Sequence, residues 1–129
     1  MNDIINAKEY DYIELQNAVY AIKGKYPSVE LGSIGKSVMG KELYYLKIGR
    51  GPGIVLYAAA FHGLERITSV LMLRFAERLL SALESGSEIA GIKARRAMLG
   101  RSLVIIPRVN PDGCDIALKG IGGCGYYAA

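Results

Sequence analysis

A single histidine and a nearby glutamate are the residues of this 129-residue chain best suited to chemistry. His62 and Glu65 are three positions apart, and in a turn this spacing can aim an imidazole nitrogen and a carboxylate oxygen at one point. Both groups are ordinary zinc ligands. The H-x-x-E pattern alone also occurs as a surface histidine beside a solvated glutamate, so the surrounding elements must decide between the two interpretations.

The pair lies between a predicted strand and a predicted helix. Residues 54–60 are almost continuously apolar, which predicts a strand covered on both faces in the middle of a sheet. Apolar residues then recur with helical spacing over 67–84, with Glu77 among the polar residues of the opposite face. Residues 102–109 form another apolar strand, and the NPDG sequence at 110–113 predicts a tight turn.

This order of strand, helix and strand predicts a β-α-β unit with parallel strands. The polar loops 61–66 and 110–113 both follow the carboxyl end of a strand, so they should lie at the same edge of the sheet. Ligands of open α/β sheets bind outside that edge. The sequence therefore places His62 and Glu65 where a binding site is expected.

The remaining elements come before and after this unit. Residues 11–25 have the period of a surface helix, and Asp11 followed by Glu14 resembles a capping box. Residues 29–48 predict an antiparallel hairpin that turns at 39–41. A second, shorter helix is expected over 88–99. Its basic side chains are Lys93, Arg95 and Arg96.

Composition limits the class of protein. The chain is long enough for one domain, and 51% hydrophobic against 22% charged residues excludes a disordered chain. The formal charge of +4 is too small to indicate nucleic-acid binding, and the basic cluster of 88–99 has no interleaved aromatic residues. We interpret that cluster as a solvated face and expect no nucleic-acid partner.

Targeting signals and cysteines add two expectations. The longest apolar runs have about eight residues, far fewer than the roughly twenty that cross a bilayer, so no membrane span is expected. The first residues show no secretory signal pattern, which predicts a cytoplasmic chain. Cys114 and Cys124 are interpreted as free thiols, because disulfides are rare in that compartment.

Three stretches of the sequence resemble the amino-terminal part of the zinc carboxypeptidase family. They are SIGKSVMGKEL at 33–43, AFHGLERIT at 60–68 and IPRVNPDG at 106–113. The bacterial branch that includes γ-D-glutamyl-meso-diaminopimelate peptidases looks most similar. The resemblance covers almost the whole chain, but well under half of a complete catalytic domain of the family.

The resemblance implies a partial zinc-carboxypeptidase fold of the α/β class, with a mixed, mostly parallel sheet, helices on its faces and an amino-terminal antiparallel hairpin. It implies that His62 and Glu65 are the first two zinc ligands and that 110–113 is a structural turn. The family's third ligand, a histidine, its general-base glutamate and its substrate-binding arginines lie further downstream, and no match to them appears before Ala129. The chain also departs from digestive-type members at Leu64, where an arginine is common, and at Arg66, where an aromatic residue is common.

Two hypotheses follow. In the first, the chain is the amino-terminal portion of a zinc metallocarboxypeptidase that hydrolyses carboxyl-terminal residues or cell-wall peptides. With two ligands and no general base, it should bind Zn²⁺ weakly or not at all and have little activity alone. In the second, it is a non-catalytic remnant or a protein- or peptide-binding module. An exposed sheet edge would then favour self-association.

Overall fold

A computed structural model describes residues 3–121 of the chain, so Cys124 lies outside the described residues. The helices are α1 (Tyr12–Lys25), α2 (Ile67–Ser85), α3 (Ala94–Ala97) and α4 (Pro111–Lys119). The strands are β1 (Glu30–Lys36), β2 (Glu42–Gly49), β3 (Gly53–Ala58), β4 (Glu88–Ile89), β5 (Ile92–Lys93) and β6 (Arg101–Ile106). No helix of this part of the chain is both long and apolar enough to cross a membrane.

Four strands form a mixed sheet in the order β1-β2-β6-β3. The hairpin of β1 and β2 is antiparallel, as predicted, and β2 also pairs with β6 in the antiparallel direction. β3 and β6 are parallel and in register from Gly53 opposite Arg101 to Ala58 opposite Ile106. The predicted β-α-β unit is therefore confirmed, and the loops after β3 and β6 lie at one edge of the sheet.

The prediction that the apolar strand at 54–60 lies in the middle of the sheet is wrong. β3 is the last strand of the order, and β6 occupies the inner position between β2 and β3. Ile54 and Leu56 are exposed on one face of β3, and Val55 and Tyr57 are exposed on the other. A continuous apolar run shows that a strand has no polar face, but it does not show which strands lie beside it.

The core lies between one face of the sheet and the helices α1 and α2. Leu46 and Ile48 of β2 lie opposite Ile105 and Leu103 of β6, and all four are buried. Both helices match their predicted spans closely, and the capping box predicted at the start of α1 is present. Glu77 departs from the predicted polar face of α2, because it is buried and accepts a hydrogen bond from the backbone N–H of Ile4 at 2.8 Å.

The predicted helix over 88–99 is also wrong for most of its length. β4 and β5 form a short hairpin, and only Ala94–Ala97 is helical. Ala90 and Gly91 join the two strands with φ angles of 50° and 80°, values that interrupt a right-handed helix and suit a two-residue hairpin turn. Arg95 of the basic cluster donates hydrogen bonds to the carbonyl oxygens of Leu83 and Glu84 near the end of α2.

Candidate metal site at the carboxyl edge of the sheet

His62 and Glu65 meet in the turn that directly follows β3. His62 precedes a single 3₁₀ turn (Gly63–Glu65), and the short turn brings the two side chains to the same side. Nδ1 of His62 lies 2.9 Å from Oε1 of Glu65, and the two side chains are 78% and 50% exposed. The structure thus brings together the two residues singled out from the sequence, and their role as metal ligands stays a prediction.

The donor atoms of this pair fit part of a zinc site. Two ligand atoms about 2.0–2.2 Å from a tetrahedral zinc ion are about 3.4 Å apart, so small side-chain rotations from the observed 2.9 Å would admit the ion. A catalytic zinc site normally has three protein ligands. Within residues 3–121 no group of three or more histidine, cysteine, aspartate or glutamate side chains is arranged to hold a metal. The pair therefore fits two of the three expected ligands.

The backbone before His62 is held by bonds that extend the pairing of β3 and β6. Val109 donates its backbone N–H to the carbonyl of Ala59 at 2.9 Å, and Asn110 donates to the carbonyl of Ala60 at 3.0 Å. Ala60 is buried with a φ of 57°, a left-handed conformation that is uncommon for alanine and turns the chain toward His62. Its N–H donates to Oγ1 of Thr68 at 2.9 Å.

Thr68 also fastens the other end of the turn. Its hydroxyl donates to the carbonyl oxygen of Glu65 at 2.7 Å while accepting from Ala60. One side chain in the first turn of α2 therefore contacts the backbone on both sides of the His62 to Glu65 segment. His62 and Glu65 therefore lie on a bent loop whose backbone is held by hydrogen bonds at both ends.

The NPDG sequence begins a helix instead of forming the predicted tight turn. Asn110 is the N-cap of α4, its side-chain oxygen accepts from the N–H of Gly113 at 2.9 Å, and Pro111 occupies the first turn. Asparagine at the N-cap followed by proline is a common way to start a helix. The turn and helix interpretations share the same residues, because asparagine, proline and aspartate favour both a tight turn and the start of a helix.

A set of polar contacts joins α4 to the rest of the site; we call Lys41, Asn110, Asp112 and Asp115 the α4 polar cluster. Asp112 accepts hydrogen bonds from the Ser37 hydroxyl at 3.0 Å and from the N–H of Met39 at 3.2 Å. Nζ of Lys41 lies 3.2 Å from Asp112 and 3.3 Å from Asp115, as ion-pair contacts without hydrogen-bond alignment. The hairpin turn of the first resembling stretch therefore contacts the helix start of the third.

The same cluster also contacts α1 and the loop of the candidate metal site. Asp115 accepts from the N–H of Tyr12 at 3.1 Å, and Nδ2 of Asn110 donates to the carbonyl oxygen of Phe61 at 3.1 Å. Sequence reasoning assigned no role to Lys41, Asp112 or Asp115. Their signal was weak, because a lysine after a hairpin glycine and acidic residues in a first helical turn are common on protein surfaces.

Arg108 is a buried cation next to this edge. It is 2% exposed, and its guanidinium donates to the carbonyl of Tyr10 at 2.7 Å and to the hydroxyl of Ser69 at 3.0 Å. Nη2 has no hydrogen-bond partner among residues 3–121, and burial lowers the pKa of the side chain. Arg108 thus joins the amino-terminal segment to α2.

Cys114 is a buried free thiol, as predicted, and burial raises its pKa, which keeps it protonated at neutral pH.

A groove of about 330 Å³ lies on the surface beside the 3₁₀ turn. Leu64, between His62 and Glu65, is one wall and is 87% exposed. Arg66, the other position that departs from digestive-type carboxypeptidases, pairs with Glu9 at 2.6 Å. The remaining lining residues are Ala7, Lys8, Ile67 and Val70. The groove therefore combines an apolar wall with charged groups close to the candidate ligands.

The fold and the site define an α/β protein with a histidine and a carboxylate at the carboxyl edge of its sheet. Residues 15–122 match the family model described as zinc carboxypeptidase. The chain belongs to the zinc carboxypeptidase family, as the three resembling stretches predicted.

Individual relatives agree with this assignment. Gamma-D-glutamyl-L-diamino acid endopeptidase 1 of Lysinibacillus sphaericus is 30% identical over 118 residues, which are 91% of this chain and 30% of the relative. The catalytic chain of human carboxypeptidase N is 27% identical over 121 residues, 88% of this chain and 26% of the relative. The chain thus spans about 30% of the length of the first relative.

A solved structure supports the fold. Bovine thrombin-activatable fibrinolysis inhibitor, in complex with tick carboxypeptidase inhibitor, superimposes with a TM-score of 0.72 at 22% identity. The match covers 87% of this chain and 34% of the solved chain. The predicted carboxypeptidase-like α/β fold, with its mixed sheet and amino-terminal hairpin, is confirmed. Within residues 3–121 the sheet is not mostly parallel as predicted, because β1 with β2 and β2 with β6 pair antiparallel and only β3 with β6 is parallel.

Proposed function

We propose that this chain is the amino-terminal part of the catalytic domain of a zinc-dependent peptidase. The observation that carries the proposal is the 2.9 Å contact between His62 Nδ1 and Glu65 Oε1, at the carboxyl edge of a carboxypeptidase-like sheet. In this proposal His62 and Glu65 supply two ligands of a Zn²⁺ ion. The bound ion would polarise a peptide carbonyl and activate water.

The proposal assigns the third ligand, the general base and the substrate-binding arginines to sequence outside these 129 residues. Two facts support this division: His62 is the only histidine of the chain, and the relatives are about three times as long. The residues of this chain then have a limited role, which is to hold two ligand atoms at a fixed separation. By itself the chain should bind zinc weakly and hydrolyse peptides slowly or not at all.

The proposed substrate is a peptide, either at its carboxyl end or at a bond of the cell-wall type between γ-D-glutamate and a diamino acid. The names of the relatives support these two alternatives, an endopeptidase for γ-D-glutamyl-L-diamino acid bonds and a carboxypeptidase. The groove beside Leu64 and Arg66 is the proposed contact for substrate near the metal. Its wall at Leu64 lacks a cationic side chain, so within the groove the proposed contacts to an anionic group are Lys8 and Arg66.

Zinc titration of the 129-residue chain tests the ligand assignment. We expect His62→Ala and Glu65→Ala each to weaken zinc binding by about 100-fold or more, because even changes to residues that only support a ligand cost about 10–100-fold. Glu84→Ala, which removes an exposed carboxylate on α2, is the matched control and should bind as the parent does. Equal affinities in all four proteins would overturn the assignment.

The exposed strand β3 favours a second candidate function, a module that binds another polypeptide along the sheet edge. Four consecutive apolar residues of β3, Ile54 to Tyr57, are at least 40% exposed, and no strand of residues 3–121 pairs with its free side. Extended peptides add to such edges through backbone hydrogen bonds. A chain that stays monomeric at all concentrations would contradict association of this edge with a second copy of the chain.

A further inference from the structure

The side-chain amide of Asn110 uses both of its ends to connect two segments. Oδ1 accepts from the N–H of Gly113 at 2.9 Å, which caps α4, and Nδ2 donates to the carbonyl oxygen of Phe61 at 3.1 Å. The peptide group that contains this carbonyl also contains the nitrogen of His62. One amide therefore links the start of α4 to the peptide that enters the candidate metal site.

Two glycines make room for this contact. A Cβ atom on Gly113 would lie 2.4 Å from Nδ2 of Asn110, and a Cβ atom on Gly63 would lie 2.3 Å from the carbonyl oxygen of Gly113. The 3₁₀ turn thus rests directly on the first turn of α4, with the Asn110 amide beside it. The close approach is independent of the two hydrogen bonds and indicates the same arrangement.

We infer that Asn110 is a positioning residue for the His62 and Glu65 pair. Its N–H···O bond orients the peptide between Phe61 and His62. This orientation sets where the imidazole lies relative to the Glu65 carboxylate, and Nδ1 of His62 is 2.9 Å from Oε1 of Glu65. The inference deepens the proposed function and rests on it where zinc is concerned. The arrangement of the two side chains, however, can be tested in the metal-free chain.

Asn110→Asp separates this role from helix capping. Aspartate caps helices about as well as asparagine, so the bond to Gly113 and the start of α4 are retained. A carboxylate has no N–H to donate, and its charge would face the carbonyl oxygen of Phe61. The substitution therefore removes the contact to the loop and keeps the contact to the helix.

The first measurement is the tautomer of His62 in the metal-free chain, read from the ¹⁵N chemical shifts of its ring. His62 is the only histidine, so its signals are unambiguous. At about pH 9, where an ordinary imidazole is neutral, the contact with Glu65 should enrich the form protonated at Nδ1 in the parent. We expect Asn110→Asp to shift the population toward that of an unconstrained histidine. Asn17→Asp adds the same charge at an exposed site of α1 and should leave the tautomer unchanged.

The second measurement is zinc affinity, which should fall by about 10–100-fold in Asn110→Asp and stay at the parent value in Asn17→Asp. Circular dichroism identifies a variant that does not fold. In that case Gly113→Ala replaces it, because the added Cβ displaces the amide from Phe61 while Asn110 itself remains. Gly113→Ala should shift the tautomer in the same direction.

The outcomes separate this inference from the proposed function. A folded Asn110→Asp with the parent's tautomer population would overturn the positioning role, even if the parent binds zinc. A parent that binds no zinc but loses its tautomer preference in Asn110→Asp would refute the zinc proposal and support the positioning role of Asn110.

Discussion

Strand β3 and the loop that follows it are adjacent in sequence, yet their surroundings differ. The loop from Ala59 to Glu65 is bonded through its backbone to β6, to Thr68 and to Asn110. Within the described residues β3 pairs on one side only, and its apolar side chains are exposed on both faces. The polar part of this region is therefore well connected, while its apolar part is not covered by residues 3–121.

The difference arises because hydrogen bonds and hydrophobic contacts have different structural requirements. A loop of a few residues can be oriented by a small number of directional hydrogen bonds, and here α4 and the first turn of α2 supply them. An apolar strand needs area against it, because the hydrophobic contribution grows with the surface removed from water. The arrangement of His62 and Glu65 should therefore depend strongly on the α4 polar cluster and weakly on β3.

The largest effect should come from Lys41→Met, which removes the cation between two mostly buried carboxylates. Lys41 lies 3.2 Å from Asp112 and 3.3 Å from Asp115, and the three side chains are 17%, 14% and 9% exposed. Loss of one partner leaves uncompensated charge, so we expect the free energy of unfolding to fall by about 2–3 kcal/mol. Chemical denaturation measures it.

Lys36→Met is the control for Lys41→Met. Lys36 lies 3.9 Å from Glu42, and these side chains are 65% and 38% exposed. An exposed pair contributes little, so the expected change is below about 0.5 kcal/mol. Equal losses in the two variants would show that the α4 polar cluster does not stabilise the loop side of the molecule.

Gly63→Ala should have the next largest effect. Its Cβ would lie 2.3 Å from a backbone oxygen of Gly113, which cannot move away as a side chain can. We expect a loss of about 2 kcal/mol in unfolding free energy. Gly24→Ala, in an open position of α1, should instead stabilise the chain by about 0.5 kcal/mol. If both substitutions were neutral, the contact between the 3₁₀ turn and α4 would not be as close as described.

The smallest effect on stability, but a clear effect on association, should come from Leu56→Lys on β3. Leu56 is 58% exposed, so the unfolding free energy should change by less than about 0.5 kcal/mol. A lysine on an edge strand opposes pairing with another chain. If β3 mediates self-association, sedimentation velocity should show a smaller oligomer fraction in this variant.

Ile34→Lys on β1, the other outer strand, provides the comparison for Leu56→Lys. Ile34 is exposed to a similar extent, but β1 already carries the charged residues Glu30 and Lys36. We expect this variant to associate as the parent does. A parent that is monomeric at all concentrations would remove the self-association hypothesis.

Much of the local structure could be predicted from the sequence. The capping box of α1 and the span of α2 follow from residue patterns within a few positions of each other. The parallel pairing of β3 with β6 follows from the order strand, helix, strand along the chain. The prediction of a helix over 88–99 was wrong because the backbone at Ala90 has a positive φ, which an alanine in the sequence does not indicate. The prediction that β3 lies in the middle of the sheet was wrong because strand order depends on contacts between distant parts of the chain.

In the candidate site, too, some residues could be predicted from the sequence and others could not. His62 and Glu65 were identified because their types and spacing are visible within four residues, and family resemblance strengthened the interpretation. The residues that hold them could not be identified, since Asn110 and Thr68 act on the loop through single hydrogen bonds to backbone atoms. Such bonds leave no periodic pattern in the sequence.

The amino-acid sequence alone determined the class of fold, the family and the two candidate ligands, because these depend on residue type, spacing and order along the chain. Only the tertiary structure decided that β6 is the inner strand, that Glu77 is buried and that NPDG begins a helix beside the candidate metal site. Each of these features depends on which atoms from distant residues lie within contact distance. That proximity arises only when the chain folds and excludes water.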